Sequence, residues 1–215
     1  MRDDVVFVHG IWMPGGVMAW IRQYLEREYG FRGHLFSYAS VRETLDDNAA
    51  LLADFVSGLD AAKVHLIGHS LGGVVSLRML AQFEEAPAGR VVCLGSPLCG
   101  SLAASSVSRY HWGSSVLGKA LVAGVLDEPA SRWAAPVTGR RDVGVIAGTR
   151  AMGFGRLMTT FNEESDGTVA VSETRLPGAR DHLTMPVTHM GMVMSRNVAD
   201  QAAAFLQRGE FLRDA

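Results

Sequence analysis

Ser70 stands in Gly68-His69-Ser70-Leu71-Gly72-Gly73, a Gly-x-Ser-x-Gly pattern preceded by the apolar run Val64-His65-Leu66-Ile67 and followed by Val74-Val75-Ser76-Leu77. A serine hydroxyl is a poor nucleophile in an ordinary loop. A tight strand-to-helix turn lifts its oxygen above the end of a sheet, and small residues on either side, here Gly68 and Gly72, let strand and helix pack around the strained position. The helix that starts there aims unpaired N–H groups and a partial positive charge at the same point. A negative oxygen developing on an attacked carbonyl would be held by them, and the Leu71 N–H is one expected donor. The alternative reading is a plain glycine-rich turn with the serine as a helix cap.

A second donor is expected in His9-Gly10-Ile11-Trp12-Met13-Pro14-Gly15-Gly16, which follows the short run Val5-Val6-Phe7-Val8. Ligands of open α/β sheets bind at the carboxyl ends of strands. The Ile11 N–H is the candidate there, with Gly10 letting the chain approach the substrate oxygen. Trp12, Met13 and Met190 suit an apolar pocket, and His69 should stand beside the serine, either in the wall of that pocket or behind it, supporting the residues that line it. The alternative is a connecting loop with His9 packed beneath it and methionine as filler.

Such a serine needs a base of near-neutral pKa and a carboxylate to hold that base in the right tautomer. The chain has seven histidines. His9, His65 and His69 precede the serine, His65 being expected in the core; His34 opens a strand away from the elbow, and His111 lies in an irregular stretch. At elbows of this kind the order along the chain is serine, acid, histidine, which leaves His182 and His189. His189, in Pro186-Val187-Thr188-His189-Met190-Gly191, comes just after the last apolar run, at the edge where the serine emerges, and is the expected base. His182 would lie at the opposite end of that run. Among Glu163-Glu164-Ser165-Asp166-Gly167-Thr168, Asp166 is the expected acid because it opens a turn; Glu163 and Glu164 read as solvated. Asp142 precedes its strand and should face the wrong end.

These residues need a scaffold. Apolar runs at 5–8, 34–38, 64–67, 91–94, 143–147 and 183–187 have the length and β-branched content of buried strands. Between them Val17, Ile21, Tyr24 and Leu25 share one helical face that ends at Gly30, and Leu45, Ala49, Leu52, Val56 and Leu59 form a second stripe. A third helix should run from Ser70 to about Phe83, and a last one to Arg208 with Val198, Ala202, Phe205 and Leu206 inward. This alternation predicts one α/β domain over residues 1–215, with a mostly parallel sheet of about six strands and helices on both faces.

Composition excludes other classes. The chain of 215 residues is 48% hydrophobic and 20% charged, with a formal net charge of -2. No basic stripe offers the electrostatic footprint of a nucleic-acid binder. No apolar run has the roughly 18 residues of a membrane span, and Met1-Arg2-Asp3-Asp4 does not open a secretory signal, so a cytoplasmic location is expected. Cys93 and Cys99 read as free thiols, and without CxxC or HExxH spacing no metal site is expected.

The set Val8-His9-Gly10-Ile11, Gly68-His69-Ser70-Leu71-Gly72-Gly73 and the stretch from Asp166-Gly167-Thr168 through Pro177-Gly178 to Val187-Thr188-His189-Met190-Gly191 resembles the compact bacterial lipases of the Bacillus lipase A type, within the α/β-hydrolase superfamily. Those lipases often carry alanine where Gly68 stands. The resemblance implies an esterase or lipase that forms an acyl-enzyme on Ser70, with a small-molecule acyl ester as its partner and no metal or organic cofactor. Acyl transfer and thioester cleavage would use the same machinery. A catalytically silent binding domain would be expected to carry a damaged triad, whereas here serine, acid and histidine stand in order. The departure is residues 101–141, longer than in those nearly lidless enzymes. Its apolar part, 116–126, reads either as a cap over an acyl pocket or as a core or subunit-contact helix.

Overall fold

The computed structural model describes residues 2–100, 119–120, 125, 127–151 and 163–213. Six strands, β1 (Asp4–Val8), β2 (Arg32–Phe36), β3 (Val64–His69), β4 (Ala88–Leu94), β5 (Val143–Gly148) and β6 (Asp181–Met185), form one sheet in the order β2-β1-β3-β4-β5-β6. Every neighbouring pair is parallel. Parallel neighbours need crossovers, and the helical segments between the strands supply them. They are α1 (Ala19–Tyr29), α2 (Leu45–Ser57), α3 (Leu71–Gln82) and the short α4 (Ala130–Trp133) and α5 (Ala135–Thr138); α6 (Arg196–Arg208) follows the last strand.

Alternation along each strand divides the core into two layers. Val5, Phe7, Ile67, Val92 and Ile146 face α1 and α6, while Val6, Val8, Leu66, Val91 and Val145 face α2 and α3. The outer layer on the α1 side is tied by Tyr24 and Tyr29, whose hydroxyls both donate to Asp200 Oδ1 at 2.9 and 2.8 Å. Helix ends follow the expected punctuation. Thr44 and Asp47 form a reciprocal capping box at the start of α2, and α1 stops at Gly30, whose φ of 72° favours glycine. Val17 lies in a 3-10 turn ahead of α1, and Leu59 falls beyond the end of α2.

Two strands lie two residues earlier than the apolar runs suggest. β2 spans Arg32–Phe36 instead of 34–38, because Asp4 at the start of β1 accepts from Arg32 and pairs with His34, fixing the register. Ser37 and Tyr38 then leave the sheet and bond the loop after β1. β6 spans Asp181–Met185 instead of 183–187, since Pro186 has no N–H to continue the ladder.

Of residues 101–141, the described part that includes α4 and α5 packs on α3, with Ala130, Ala134 and Val137 buried in the core beside α2 and α3. Ala120 and Val125 join that core. The remainder of 116–126, on which the cap reading rests, lies outside the described residues. Cys93 is buried and Cys99 exposed, both as free thiols. No described helix is long and apolar enough to cross a membrane.

Candidate active site

The chain passes from β2 to β3 across β1, so the strand order reverses there, and the crevice beyond the carboxyl ends of β1 and β3 is where such sheets take ligands. Val8 pairs with Gly68, which brings the loop after β1 beside the turn after β3. Ser70 occupies that turn with φ 55° and ψ -125°; only it and Trp12, among the described non-glycine residues, have positive φ. Its N–H donates to the Leu94 carbonyl at 2.9 Å, pinning the turn to β4. The flanking glycines are required by contact. A Cβ on Gly68 would overlap the backbone of Gly73, and one on Gly72 would overlap the Val8 and His9 carbonyls. α3 therefore starts against the end of β1, with the Leu71 N–H in its first turn and without an intrahelical acceptor.

The loop after β1 is held from below. The His9 ring is stacked on Tyr38 at 4.4 Å, the Tyr38 hydroxyl donates to the His9 carbonyl at 2.9 Å, and the Tyr38 N–H donates to His9 Nε2 at 3.2 Å. His9 therefore carries its hydrogen on Nδ1, facing the Gly10 carbonyl at 2.7 Å. Burial pushes its pKa down and burial pushes that of Tyr38 up. Further along, Ser37 accepts from Gly15 N–H and Ser40 from Trp12 N–H. Gly10 faces Ser70 so closely that a Cβ on it would come 2.9 Å from Ser70 Cβ.

Asp166 and His189 meet at the same sheet edge. His189 Nδ1–H donates to Asp166 Oδ2 at 2.7 Å, while Asp166 Oδ1 accepts from the N–H groups of Thr168 and Val169 at 2.8 and 2.7 Å. The carboxylate is 1% exposed, and Ser70 and His189 are also largely buried but keep 7% and 8% of their surface. With Nδ1 committed to the carboxylate, His189 Nε2 holds the lone pair. The Asp166 turn is itself braced by Glu173, whose Oε2 accepts from Ala170 N–H at 2.8 Å.

The competing residues are placed elsewhere. His182 lies near the start of β6 and donates to Thr174 Oγ1 at 2.9 Å. Asp142 precedes β5 and pairs with Arg90, and His65 is buried against Asp3. His34 sits in the middle of β2. Glu163 bonds Ser172 on the surface. Ile11, the expected second donor, is half-buried; of the expected pocket residues, Met13 is half-buried and Trp12 and Met190 are exposed. Of the two places expected for His69, the structure rules out the pocket wall: it is 0% exposed and offers a ligand no surface.

Gly95, which belongs to none of the sequence motifs, lies against both Asp166 and His189. At φ 54° it follows β4, and a Cβ there would come 2.9 Å from Asp166 Oδ2 and 3.2 Å from His189 Nδ1. Its sequence signal is a glycine immediately after an apolar strand at the ligand edge. Among the described residues no group of three or more His, Cys, Asp or Glu side chains is placed to hold a metal ion.

Comparison with known proteins agrees with this architecture. A family model described as the alpha/beta hydrolase family matches residues 5–209. The mature form of a Bacillus licheniformis lipase superposes with a TM-score of 0.73 at 20% identity, over 98% of this chain and 93% of that one. The phospholipase PlaB of Legionella pneumophila, in complex with thio-NAD, gives 0.68 at 19% identity over 94% of this chain and 56% of that one. A metagenomic carboxyl esterase gives 0.62 at 19% identity over 86% and 64%. At these identities the likeness is one of fold. No curated protein sequence matches at a significant level.

Proposed function

The chain belongs to the alpha/beta hydrolase family, and from that premise we propose that it is a serine hydrolase of carboxylic esters working through Ser70, His189 and Asp166. The observation that carries this reading is the 2.7 Å bond from His189 Nδ1 to a buried Asp166, beside a serine held at φ 55° on a strand-to-helix turn. Ser70 Oγ attacks the ester carbonyl carbon as His189 Nε2 takes its proton. The imidazolium is stabilised by Asp166. The N–H groups of Leu71 and Ile11 hold the oxyanion until the C–O bond to the alcohol breaks, His189 returning the proton to the departing oxygen. Water, deprotonated by the same nitrogen, then releases the acid from Ser70. Trp12, Met13 and Met190 supply apolar surface beside the acyl group. The likeness in fold to lipases and a carboxyl esterase supports the choice of ester.

The test is hydrolysis of p-nitrophenyl esters from acetate to palmitate, with Ser70→Ala in parallel and mass spectrometry of an organophosphonate adduct. Turnover that drops at least roughly 10⁴-fold in the variant, with the adduct on Ser70, is expected. A parent that cleaves no ester and takes no phosphonate would overturn the reading.

A further inference from the structure

His69 immediately precedes the nucleophile, yet its side chain is fully buried and touches the base instead. Its Nε2 lies 3.0 Å from the main-chain oxygen of His189, and the two imidazole rings are 4.6 Å apart. A carbonyl only accepts, so the His69 hydrogen is on Nε2. Nδ1 is then a buried lone pair without a hydrogen-bond partner. It faces the loop after β1, where a Cβ on Gly10 would come within 3.4 Å.

A buried imidazole with an unpartnered nitrogen costs stability that an apolar ring of the same shape would not. What the imidazole alone provides is the donor to His189. That donor ties the residue next to the nucleophile to the main chain of the base, 120 positions away in the sequence. Resting on the reading of Ser70 and His189 given above, we propose that His69 is a positioning residue: its Nε2–H holds the His189 main chain, and with it the ring, at the right place over Ser70.

Charge fits this role. The titratable groups that act on His69 are His189 and His9, with no carboxylate among them, and burial together with His189 lowers its pKa to about 3. It therefore stays neutral while His189 cycles through the imidazolium 4.6 Å away, where a second cation would oppose proton transfer.

Two variants and one spectrum test the proposal. His69→Phe keeps the ring and removes the donor; His69→Gln restores an N–H. With p-nitrophenyl butyrate, His69→Phe should lose roughly 10-fold to 100-fold in kcat with KM changed by less than about threefold, as expected for a misplaced base. His69→Gln should recover part of that loss. Independently of turnover, ¹⁵N NMR of the parent should show His69 as the neutral Nε2–H tautomer from about pH 8 to pH 5. Unchanged kcat in His69→Phe, a loss in both variants alike, or an Nδ1–H or titrating His69 would each overturn it. A parent inactive on every ester would instead sink the functional reading, and the tautomer would still be read.

Discussion

His189 and Asp166 are joined twice: ring Nδ1–H to carboxylate Oδ2 at 2.7 Å, and His189 main-chain N–H to the Asp166 carbonyl at 3.0 Å. The second bond fixes the loops, the first fixes the ring, and together they leave the imidazole little freedom to turn away from the sheet edge. A third bond, from His69, holds the same residue from the side of Ser70.

Asp166→Asn should keep the loop and lose the chemistry. The amide oxygen can still accept from Thr168 and Val169, but its NH2 would face His189 Nδ1 and push the hydrogen to Nε2. The expected loss in kcat is roughly 10⁴-fold. Circular dichroism should remain that of the parent, and ester hydrolysis near neutral pH provides the measurement.

Gly95→Ala separates strain from collision. Alanine at φ 54° costs about 1 kcal/mol or more, and its methyl would also press on Asp166 Oδ2. Gly30→Ala is the control, with φ 72° and nothing within 4 Å of the new methyl. Both variants should melt about 2–4 °C or more below the parent, but only Gly95→Ala should lose at least about tenfold in kcat. Equal activity in the two would show that the acid and base tolerate displacement.

Tyr38→Phe removes the hydroxyl that donates to the His9 carbonyl. Leaving that buried oxygen unsatisfied should cost about 1–3 kcal/mol. The Gly10-Ile11 segment hangs from this contact, so kcat/KM should fall at temperatures well below the melting transition. Urea titration and ester kinetics on the same preparation measure the two effects.

Acid should destabilise the fold well before the carboxylates titrate. His9, His65, His69 and His182 all have pKa values lowered below 6.5, in each case first by burial. Between the unfolded value and the folded ones, the unfolded chain binds more protons, so stability is complete above about pH 6.5 and is lost as the pH falls. For His69 the loss continues to about pH 3. Urea midpoints should therefore drop steadily from pH 7 to pH 5, and His69→Phe should flatten that slope. A midpoint that is level over this range would contradict the neutral buried histidines.

The sequence by itself determined the parts that depend on near neighbours. Gly68 and Gly72 around Ser70, with an apolar run before and helical periodicity after, point to a strand-turn-helix; in the fold Gly68 lies against the backbone of Gly73 and Gly72 lies where α3 abuts β1. Asp166 before Gly167, and His189 just beyond the last strand, follow from turn chemistry and strand ends. Tertiary structure decided what depends on partners distant in the chain. Strand order is set by crossover direction, which periodicity does not encode, and it alone brings the Gly10 loop beside Ser70. β2 ends at Phe36 although Tyr38 continues the apolar pattern, because that ring is used to stack on His9. Gly95 looks like any glycine after a strand until Asp166 and His189 close over it. His69 reads, from its place beside Ser70, as either a pocket-wall or a supporting residue; its burial, its tautomer and its hold on His189 exist only once the last strand has been laid against the sheet.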